Sequence, residues 1–198
     1  MGSIQNICIY CGSSDQMNAA YLQAARDLGA ALAERGLRLI YGGGGTGMMG
    51  ALADAVLEKG GEVIGIIPKI FVTPELLHTG LTDLIVVADI STRKTSMAEM
   101  SDAFVALPGG FGTFDELFEI LTWSQIGLHT NPIGILNTLE YFNPLLTLIE
   151  HARQEGFIYN EHIDLLINES DPQVLLTRME VFEPPANLER WVQRREDQ

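Results

Sequence analysis

Residues 103–117 read AFVALPGGFGTFDEL, an apolar run that leads into a glycine-rich turn and then into a helical pattern. A buried strand is predicted over 103–107, because short apolar runs bounded by glycine are typical of parallel sheets. The turn contains Gly109, Gly110 and Gly112, which allow the backbone to lie close to a ligand. A helix is predicted from Thr113, and the free N–H groups of a helix start can bind phosphate. The stretch therefore predicts one strand–loop–helix unit of an α/β sheet with an anion-binding loop.

The same alternation runs along the rest of the chain. Further strands are predicted at 6–11, 37–41, 62–67, 84–88, 132–136 and 165–168, and helices at 18–35, 47–59, 94–100, 113–126, 141–155 and 172–182. Strands that alternate with helices favour a sheet covered on both sides. We predict an α/β fold, a Rossmann-like, doubly wound and mostly parallel sheet with helices on both faces.

Length and composition are sufficient for one core. The chain has 198 residues, of which 46% are hydrophobic, and one domain is the simplest arrangement at this length. We predict a Rossmann-like nucleotide-binding domain over 1–182. The remaining 183–198 are rich in proline and mixed charges, which predicts an exposed C-terminal extension with a short helix around Trp191.

The charge balance restricts the partners. There are 26 acidic and 12 basic residues, giving a formal net charge of −14. Such a surface repels polyphosphate, so no nucleic-acid partner is expected. No apolar run reaches the roughly 20 residues that span a bilayer, and the N-terminus lacks the basic region of a signal peptide. We expect no membrane partner and a cytoplasmic location.

The longest glycine run, GGGGTGMMG at 42–50, follows the second predicted strand. It is not a Walker A loop, because Met48 and Met49 stand where that motif needs Lys followed by Ser or Thr. A nicotinamide site would need the glycine fingerprint after the first strand, with an acidic residue after the next one. Here Glu62 begins the next strand. Gly43 and Gly44 are retained as candidate contacts to a phosphorylated ligand.

The loop after the first strand offers two interpretations. Its sequence is Gly12-Ser13-Ser14-Asp15, and its hydroxyls can cap a helix or contact a ligand at the carboxyl end of the strand. Ser13 is a candidate ligand contact. The neighbouring Cys8 and Cys11 form a C-x-x-C, but they lie in an apolar run without a second pair, so a redox or metal role is disfavoured and no metal is predicted.

Glu116 also has two interpretations. It lies three residues after Thr113, which would form a capping box if Thr113 were the N-cap of the helix. Alternatively, a carboxylate one turn from a phosphate-binding helix start lies within reach of a ribose whose 5′-phosphate is held there.

Several motifs accompany these loops. They are Cys8-Ile9-Tyr10-Cys11-Gly12-Ser13-Ser14, Tyr41-Gly42-Gly43-Gly44, Arg93-Lys94 with Met97, Ser101-Asp102-Ala103-Phe104, Pro108-Gly109-Gly110-Phe111-Gly112-Thr113 with Glu116, Thr122-Trp123, Gln125, Gly127 with His129, Asn137, Tyr141 and Glu155-Gly156-Phe157. In combination they resemble the LOG (Lonely Guy) family of cytokinin-activating phosphoribohydrolases, whose members have often been labelled lysine decarboxylases. The resemblance covers most of the chain.

The resemblance implies hydrolysis of the N-glycosidic bond of adenosine 5′-monophosphates, N6-modified or not, to free base and ribose 5-phosphate, without a metal or organic cofactor. It implies Arg93 and Glu116 as the catalytic pair, and generally a homodimer. It further implies a set of substrate contacts, namely Glu75, Lys94, Gly110, Phe111, Gly112, Thr113, Phe114, Asp115 and Thr122. The segment around Glu75 departs from the plant members of the family.

Chemistry assigns roles to the pair. Cleavage of an N-riboside passes through an oxocarbenium-like centre, and a nearby carboxylate such as Glu116 can stabilise that positive charge or activate water. Spacing leaves open whether it acts as a base, a stabiliser or a transient nucleophile, and we favour a base or a stabiliser. An arginine keeps its proton near neutral pH, so Arg93 is expected to fix ribose, phosphate or base rather than act as an acid. The side chains of Phe118 and Trp123 fall at helical intervals, which indicates core or dimer packing.

Two alternatives belong to other classes of protein. A noncatalytic nucleotide or cofactor carrier, resembling molybdenum-cofactor carrier proteins, could use the same glycine loops. A lysine decarboxylase would need a lysine that forms a Schiff base with pyridoxal phosphate. The chain has only Lys59, Lys69 and Lys94, and none stands in a recognisable setting for that chemistry.

Overall fold

A computed structural model describes residues 4–186 and 188. The strands are β1 (Asn6–Tyr10), β2 (Arg38–Tyr41), β3 (Val63–Pro68), β4 (Asp83–Val87), β5 (Ala103–Ala106), β6 (Ile133–Leu136) and β7 (Leu166–Glu169). The helices are α1 (Ala19–Glu34), α2 (Gly47–Glu58), α3 (Ile90–Glu99), α4 (Phe111–Gln125), α5 (Asn143–Gln154), α6 (Asn160–Ile163) and α7 (Pro172–Glu180). Short 3-10 turns lie at Lys69–Phe71 and Thr138–Glu140.

The strands form one seven-stranded sheet in the order β4-β3-β2-β1-β5-β6-β7, and every neighbouring pair is parallel. The predicted α/β fold is therefore confirmed. The chain first builds outward from β1 to β4 and then returns to the other side of β1 with β5. The loops that follow β1 and β5 diverge at this switch point, and the crevice between them is where ligands bind in open α/β sheets.

Alternate side chains of β1 point into two hydrophobic cores, one on each face of the sheet. Ile7 and Ile9 lie in an apolar cluster with α1, α2 and α7. Cys8 and Tyr10 lie in a second cluster that includes Met97 of α3 and residues of α4. Because successive side chains of a strand point to opposite faces, a strand buried on both sides is apolar at every position. This accounts for the uninterrupted apolar runs that predicted the strands.

Three helix starts differ from the sequence prediction by two residues or more, including that of α5, which begins at Asn143 rather than 141. Helix α3 begins at Ile90 rather than 94, since Asp89 caps it by accepting the Thr92 N–H at 2.7 Å. Helix α4 begins at Phe111 rather than 113, with Gly110 as the N-cap. The capping box centred on Thr113 is therefore wrong. Helix α6 and the two 3-10 turns are too short for a periodic pattern and were not predicted.

The predicted C-terminal extension is described only at 183–186 and 188, and the proposed helix around Trp191 lies outside the described residues. The boundary at residue 182 stays a prediction. Within the described part of the chain, no helix combines the length and apolarity needed to cross a bilayer.

Gly29 sets how closely α1 and α2 pack. A Cβ at Gly29 would lie 2.6 Å from the Leu52 carbonyl oxygen and 2.9 Å from Ala55 Cβ, so the helix backbones touch at this position. We expect Gly29→Ala to destabilise the fold by about 1–2 kcal/mol, because the overlap outweighs the gain in helix propensity. Gly112→Ala is the matched control, since its added Cβ meets nothing within 4 Å, and it should be neutral or stabilising. Thermal and denaturant unfolding of both variants check this pair, and a more stable Gly29→Ala protein would contradict the close crossing.

Candidate active site

A cavity of about 480 Å³ opens at the carboxyl edge of the sheet, beside β1 and β5. The residues that line it come from the loops after several strands and from the starts of α2, α3 and α4. They are Cys11, Gly12, Ser13, Gly42, Gly44, Thr46, Met49, Ile67, Pro68, Phe71, Leu76, Ile90, Arg93, Lys94, Gly110, Gly112, Thr113, Asp115 and Glu116. The cavity thus occupies the crevice that the sheet topology predicts.

A buried ion pair lies in the wall of this cavity. Arg93 Nη1 of α3 is 3.1 Å from Glu116 Oε1 of α4, and the two side chains are 17% and 9% exposed. Arg93 Nε also donates to the Ile66 carbonyl oxygen of β3 at 3.2 Å. A Cβ at Gly42 would lie 2.2 Å from Arg93 Nη2. The glycine after β2 therefore makes room for the guanidinium, and the arginine is held by Glu116 and the Ile66 carbonyl oxygen.

The environment of Glu116 pulls its pKa in opposite directions. Burial raises the pKa of this carboxyl, Arg93 opposes the shift, and the nearby carboxylate of Asp115 adds to it. The net result is a pKa above the ordinary glutamate value. Such a carboxylate binds a proton more tightly than a solvated one, which favours a base or a stabiliser of positive charge.

The start of α4 forms the opposite part of the cavity. Its N-cap is Gly110, and no side chain caps the helix. Among the described residues, no acceptor is found for the N–H groups of Gly112 and Thr113. The first free N–H groups and the dipole of a helix attract anions. The start of α4 therefore offers N–H donors that can bind an anion, one helical turn before Glu116.

The first N–H groups of α2 already donate hydrogen bonds to acceptors within the protein. The Gly47 N–H donates to Asp15 Oδ1 at 2.9 Å, and the Met48 N–H donates to the Gly12 carbonyl oxygen at 3.1 Å. The hydroxyl of Thr46 donates to the Ser13 carbonyl oxygen at 2.9 Å. The loop after β1 thus supplies hydrogen-bond acceptors for the first N–H groups of α2. Of the two described helices that follow glycine-rich loops, α4 is the one whose first N–H groups can bind an anion.

Lys94 is held by carboxylates of α4. Its Nζ lies 3.0 Å from Asp115 Oδ2 and 3.0 Å from Glu119 Oε1. Partial burial alone would lower the pKa of Lys94, but the hydrogen bonds with Glu119 and Asp115 outweigh it and raise the pKa. The lysine therefore ties α3 to α4 beside the ion pair, and its charge is already matched before any ligand enters.

Six of the side chains that line the cavity are apolar, and we refer to them together as the apolar wall. They are Met49, Ile67, Pro68, Phe71, Leu76 and Ile90. Backbone hydrogen bonds place the outer part of this wall, because the Gly45 N–H donates to the Leu76 carbonyl oxygen at 2.8 Å and the His78 N–H donates to the Gly43 carbonyl oxygen at 3.1 Å. The segment after β3 is thereby attached to the glycine run. Its side chains Phe71 and Leu76 line the same cavity as Arg93 and Glu116.

The structure brings together most of the residues predicted as the site. Arg93, Glu116, Ser13, Gly44, Lys94, Gly110, Gly112, Thr113 and Asp115 all line the cavity. Others do not contribute to its lining: Glu75, Gly43, Phe111, Phe114 and Thr122. Phe111 is 92% exposed, and the Thr122 hydroxyl donates to the Phe118 carbonyl oxygen at 2.6 Å. Gly43 has φ +77° and packs against Ile67 and Leu84, which is a structural position.

Sequence reasoning missed the apolar wall and the function of Gly42. No local pattern marks the wall, because its members lie on three separate segments. Gly42 was visible only as one glycine of a run, and its contact is with an arginine far along the chain.

The two cysteines are free thiols. Burial raises the pKa of both Cys8 and Cys11, so neither is an activated nucleophile. Within the described chain, no group of three or more metal-ligating side chains is assembled.

Comparisons with known proteins assign the family. Residues 49–179 match a family model described as possible lysine decarboxylase. A cytokinin riboside 5′-monophosphate phosphoribohydrolase of Rhodococcoides fascians is 51% identical over 155 residues, covering 78% of each chain. One of Arabidopsis thaliana is 43% identical over 180 residues, covering 91% of this chain and 84% of the other. This chain belongs to the LOG family.

Solved structures share the fold of this LOG protein. The molybdenum cofactor carrier protein of Chlamydomonas reinhardtii aligns over 87% of this chain and 94% of that one, with a TM-score of 0.65 and 22% identity. The molybdenum cofactor binding protein of Rippkaea orientalis aligns over 87% and 93%, with a TM-score of 0.67 and 21% identity. At this identity the likeness concerns the fold alone.

The decarboxylase description does not suit the lysines of this LOG protein. Lys94 is tied to two carboxylates, Lys59 pairs with Glu34 at 3.3 Å, and Lys69 is exposed on a 3-10 turn. A lysine that forms a Schiff base needs a setting that lowers its pKa, whereas the surroundings of Lys94 raise it.

Proposed function

We propose that the chain hydrolyses the N-glycosidic bond of adenosine 5′-monophosphates, especially N6-modified ones, to give the free base and ribose 5-phosphate. The observation that carries this proposal is the buried Arg93–Glu116 pair, 3.1 Å apart and one helical turn beyond an open anion site. The relatives from Rhodococcoides fascians and Arabidopsis thaliana bear the name of this activity. An ion pair built only for stability would not need an adjoining cavity.

The 5′-phosphate of the substrate would bind at the start of α4. The N–H groups of Gly112 and Thr113 supply donors, and the Thr113 hydroxyl lies on the same turn. The net charge of −14 opposes anion binding at long range, but local N–H donors at a helix start are sufficient for a single phosphate. A phosphate held there leaves the ribose to extend toward Glu116.

The reaction exchanges one bond at C1′ of the ribose. The C1′–N9 bond breaks, its electron pair leaves with the base, and a water oxygen bonds to C1′. Glu116 would stabilise the positive charge at C1′ and accept a proton from the water, and its raised pKa supports that role. Arg93 orients this carboxylate and contacts the ribose or the departing base, which takes up a proton as it leaves.

Glu116→Gln should lower kcat for AMP or isopentenyladenosine monophosphate by about 10³-fold, because the amide can neither accept the proton nor carry the charge. Arg93→Met should lower it by about 10²-fold, since Glu116 loses its orienting partner. Chromatography of the free base and ribose 5-phosphate measures both. Glu99→Gln, an exposed glutamate at the end of α3, is the matched control and should keep wild-type turnover.

The same experiment separates hydrolysis from binding. Release of both products by the wild type, with loss in both site variants, is the expected result. If folded wild-type protein binds the nucleotide and releases no base, the proposed hydrolysis is wrong and a noncatalytic carrier is favoured.

The base would lie against the apolar wall. Phe71, Leu76 and Ile90 line the same cavity as Arg93 and Glu116 and are 38%, 43% and 45% exposed, so apolar surface is accessible there. An isoprenoid group on N6 would cover this surface and remove it from water. The wall thus supports N6-modified nucleotides as the preferred substrates over AMP.

Leu76→Asn should lower kcat/KM for isopentenyladenosine monophosphate by about tenfold while changing that for AMP little, because the loss of an apolar contact affects only the substrate that uses it. Leu148→Asn is the control, since Leu148 is 59% exposed and does not line the cavity. Competition between the two nucleotides in one reaction gives the ratio directly. Equal losses for both substrates would show that the wall does not read the N6 group.

We also propose that the protein works as a homodimer in the cytoplasm. Phe118 of α4 is 42% exposed, and Trp123 of the same helix is partly buried. Leu128, in the loop after α4, is 67% exposed. Burial of this apolar surface against a second copy would stabilise a dimer. Light scattering coupled to size-exclusion chromatography checks it, and a monomer at micromolar concentration would count against it.

A further inference from the structure

The loop before α4 has its carbonyl groups engaged by the protein. The Pro108 carbonyl oxygen accepts the Gly12 N–H at 3.1 Å, and the Gly110 carbonyl oxygen accepts the Phe114 N–H at 3.0 Å. Between them, the Gly109 carbonyl oxygen accepts the hydroxyl of Tyr141 at 2.5 Å. Of these partners, Gly12 and Phe114 are backbone groups of the surrounding loop and helix. Tyr141 is the one side chain among them, and it comes from beyond β6.

The ring of Tyr141 is fixed by other aromatic side chains. It packs edge-on against Tyr21 and Phe142, with centroids 5.9 Å and 5.1 Å away, and stacks on Phe114 at 6.5 Å. A ring enclosed in this way has little rotational freedom, so its hydroxyl is presented to Gly109 in one direction.

Tyr141 directly follows a strained turn. Leu139 and Glu140 precede it with φ of 51° and 59°, a backbone region that residues other than glycine rarely adopt. The side chain of Asn137 stabilises the turn with two hydrogen bonds. Its Oδ1 accepts the Phe142 N–H at 2.7 Å, and its Nδ2 donates to Asn143 Oδ1 at 2.9 Å. Such strain persists only where the surroundings enforce it, and it is typical of functional loops.

The peptide that Tyr141 contacts joins two glycines. A trans peptide is planar, with its carbonyl and N–H pointing in opposite directions. Holding the Gly109 carbonyl toward Tyr141 therefore turns the Gly110 N–H the other way. A Gly–Gly peptide rotates easily because neither residue has a Cβ. After rotation its oxygen would point to the side that the Gly110 N–H now occupies, and an oxygen at a helix start repels an anion.

We infer that Tyr141 is a positioning residue that locks the Gly109–Gly110 peptide in its anion-binding orientation. It acts through the loop and not on the reacting atoms. The inference rests on the proposed function in that the anion is the 5′-phosphate of the substrate. The Thr113 side chain lies directly against Gly109, since a Cβ at Gly109 would lie 2.1 Å from its Oγ1.

The test compares two tyrosines of one cluster. Tyr141→Phe keeps the ring and removes the hydroxyl that reaches Gly109, whereas Tyr21→Phe removes a hydroxyl from the ring beside it. Loss of one hydrogen bond in Tyr141→Phe should weaken binding of ribose 5-phosphate by about tenfold and raise KM for AMP similarly, with kcat changed less than threefold. Tyr21→Phe should match the wild type. Calorimetry with ribose 5-phosphate and steady-state kinetics with AMP give the two readouts.

The outcomes are distinguishable. Wild-type binding and KM in folded Tyr141→Phe, or a fall in kcat with KM unchanged, would overturn the positioning role. If the wild type binds ribose 5-phosphate but hydrolyses no nucleotide, the proposed function fails, and the binding difference between the two variants still decides the role of Tyr141. A wild type that binds neither ribose 5-phosphate nor AMP would overturn both.

Discussion

The ion pair between Arg93 and Glu116 is the constraint on which the site depends. A buried carboxylate and guanidinium are costly to remove from water unless each finds a partner with good geometry. Here the partners come from α3 and α4, two helices on the same face of the sheet, and Ile66 of β3 adds a third attachment. Removing either charge would leave the other buried and unpaired. The positions of both helices, and hence the shape of the cavity, are therefore coupled to this contact.

Two glycine-rich loops of similar appearance serve this pair in different ways. The run at 42–50 provides space: Gly42 admits the guanidinium, and the helix that follows is capped by Asp15 and Gly12. The loop at 108–112 provides donors, because its carbonyl groups are engaged and the N–H groups at the start of α4 are not. Composition alone cannot separate these uses. What separates them is whether a neighbouring segment supplies an acceptor.

Much of the fold could be predicted from the sequence. Each strand and long helix was expected within a few residues, because β1, β5 and their neighbours are apolar on both faces and the helices carry clear periodicity. The helix starts were less accurate: Asp89 and Gly110 act as N-caps without a distinctive pattern around them. Arg93 and Glu116 were identified through family resemblance, since spacing alone allowed a capping box for the glutamate. The matched charge of Lys94 and the apolar wall depend on contacts between distant segments, which no local pattern contains.

A backbone bridge joins the glycine run to the segment after β3, and the side chains of that segment take no part in it. Gly44 pairs with Leu77, and the hydrogen bonds on either side join backbone atoms only. Side chains at Phe71 and Leu76 can therefore be exchanged without disturbing the attachment, and neither of them supports the ion pair. Under the proposed function, substitutions at Phe71 and Leu76 would change which nucleotide is preferred and leave Arg93 and Glu116 as they are. Such a change of substrate would need no new fold and no new catalytic residue.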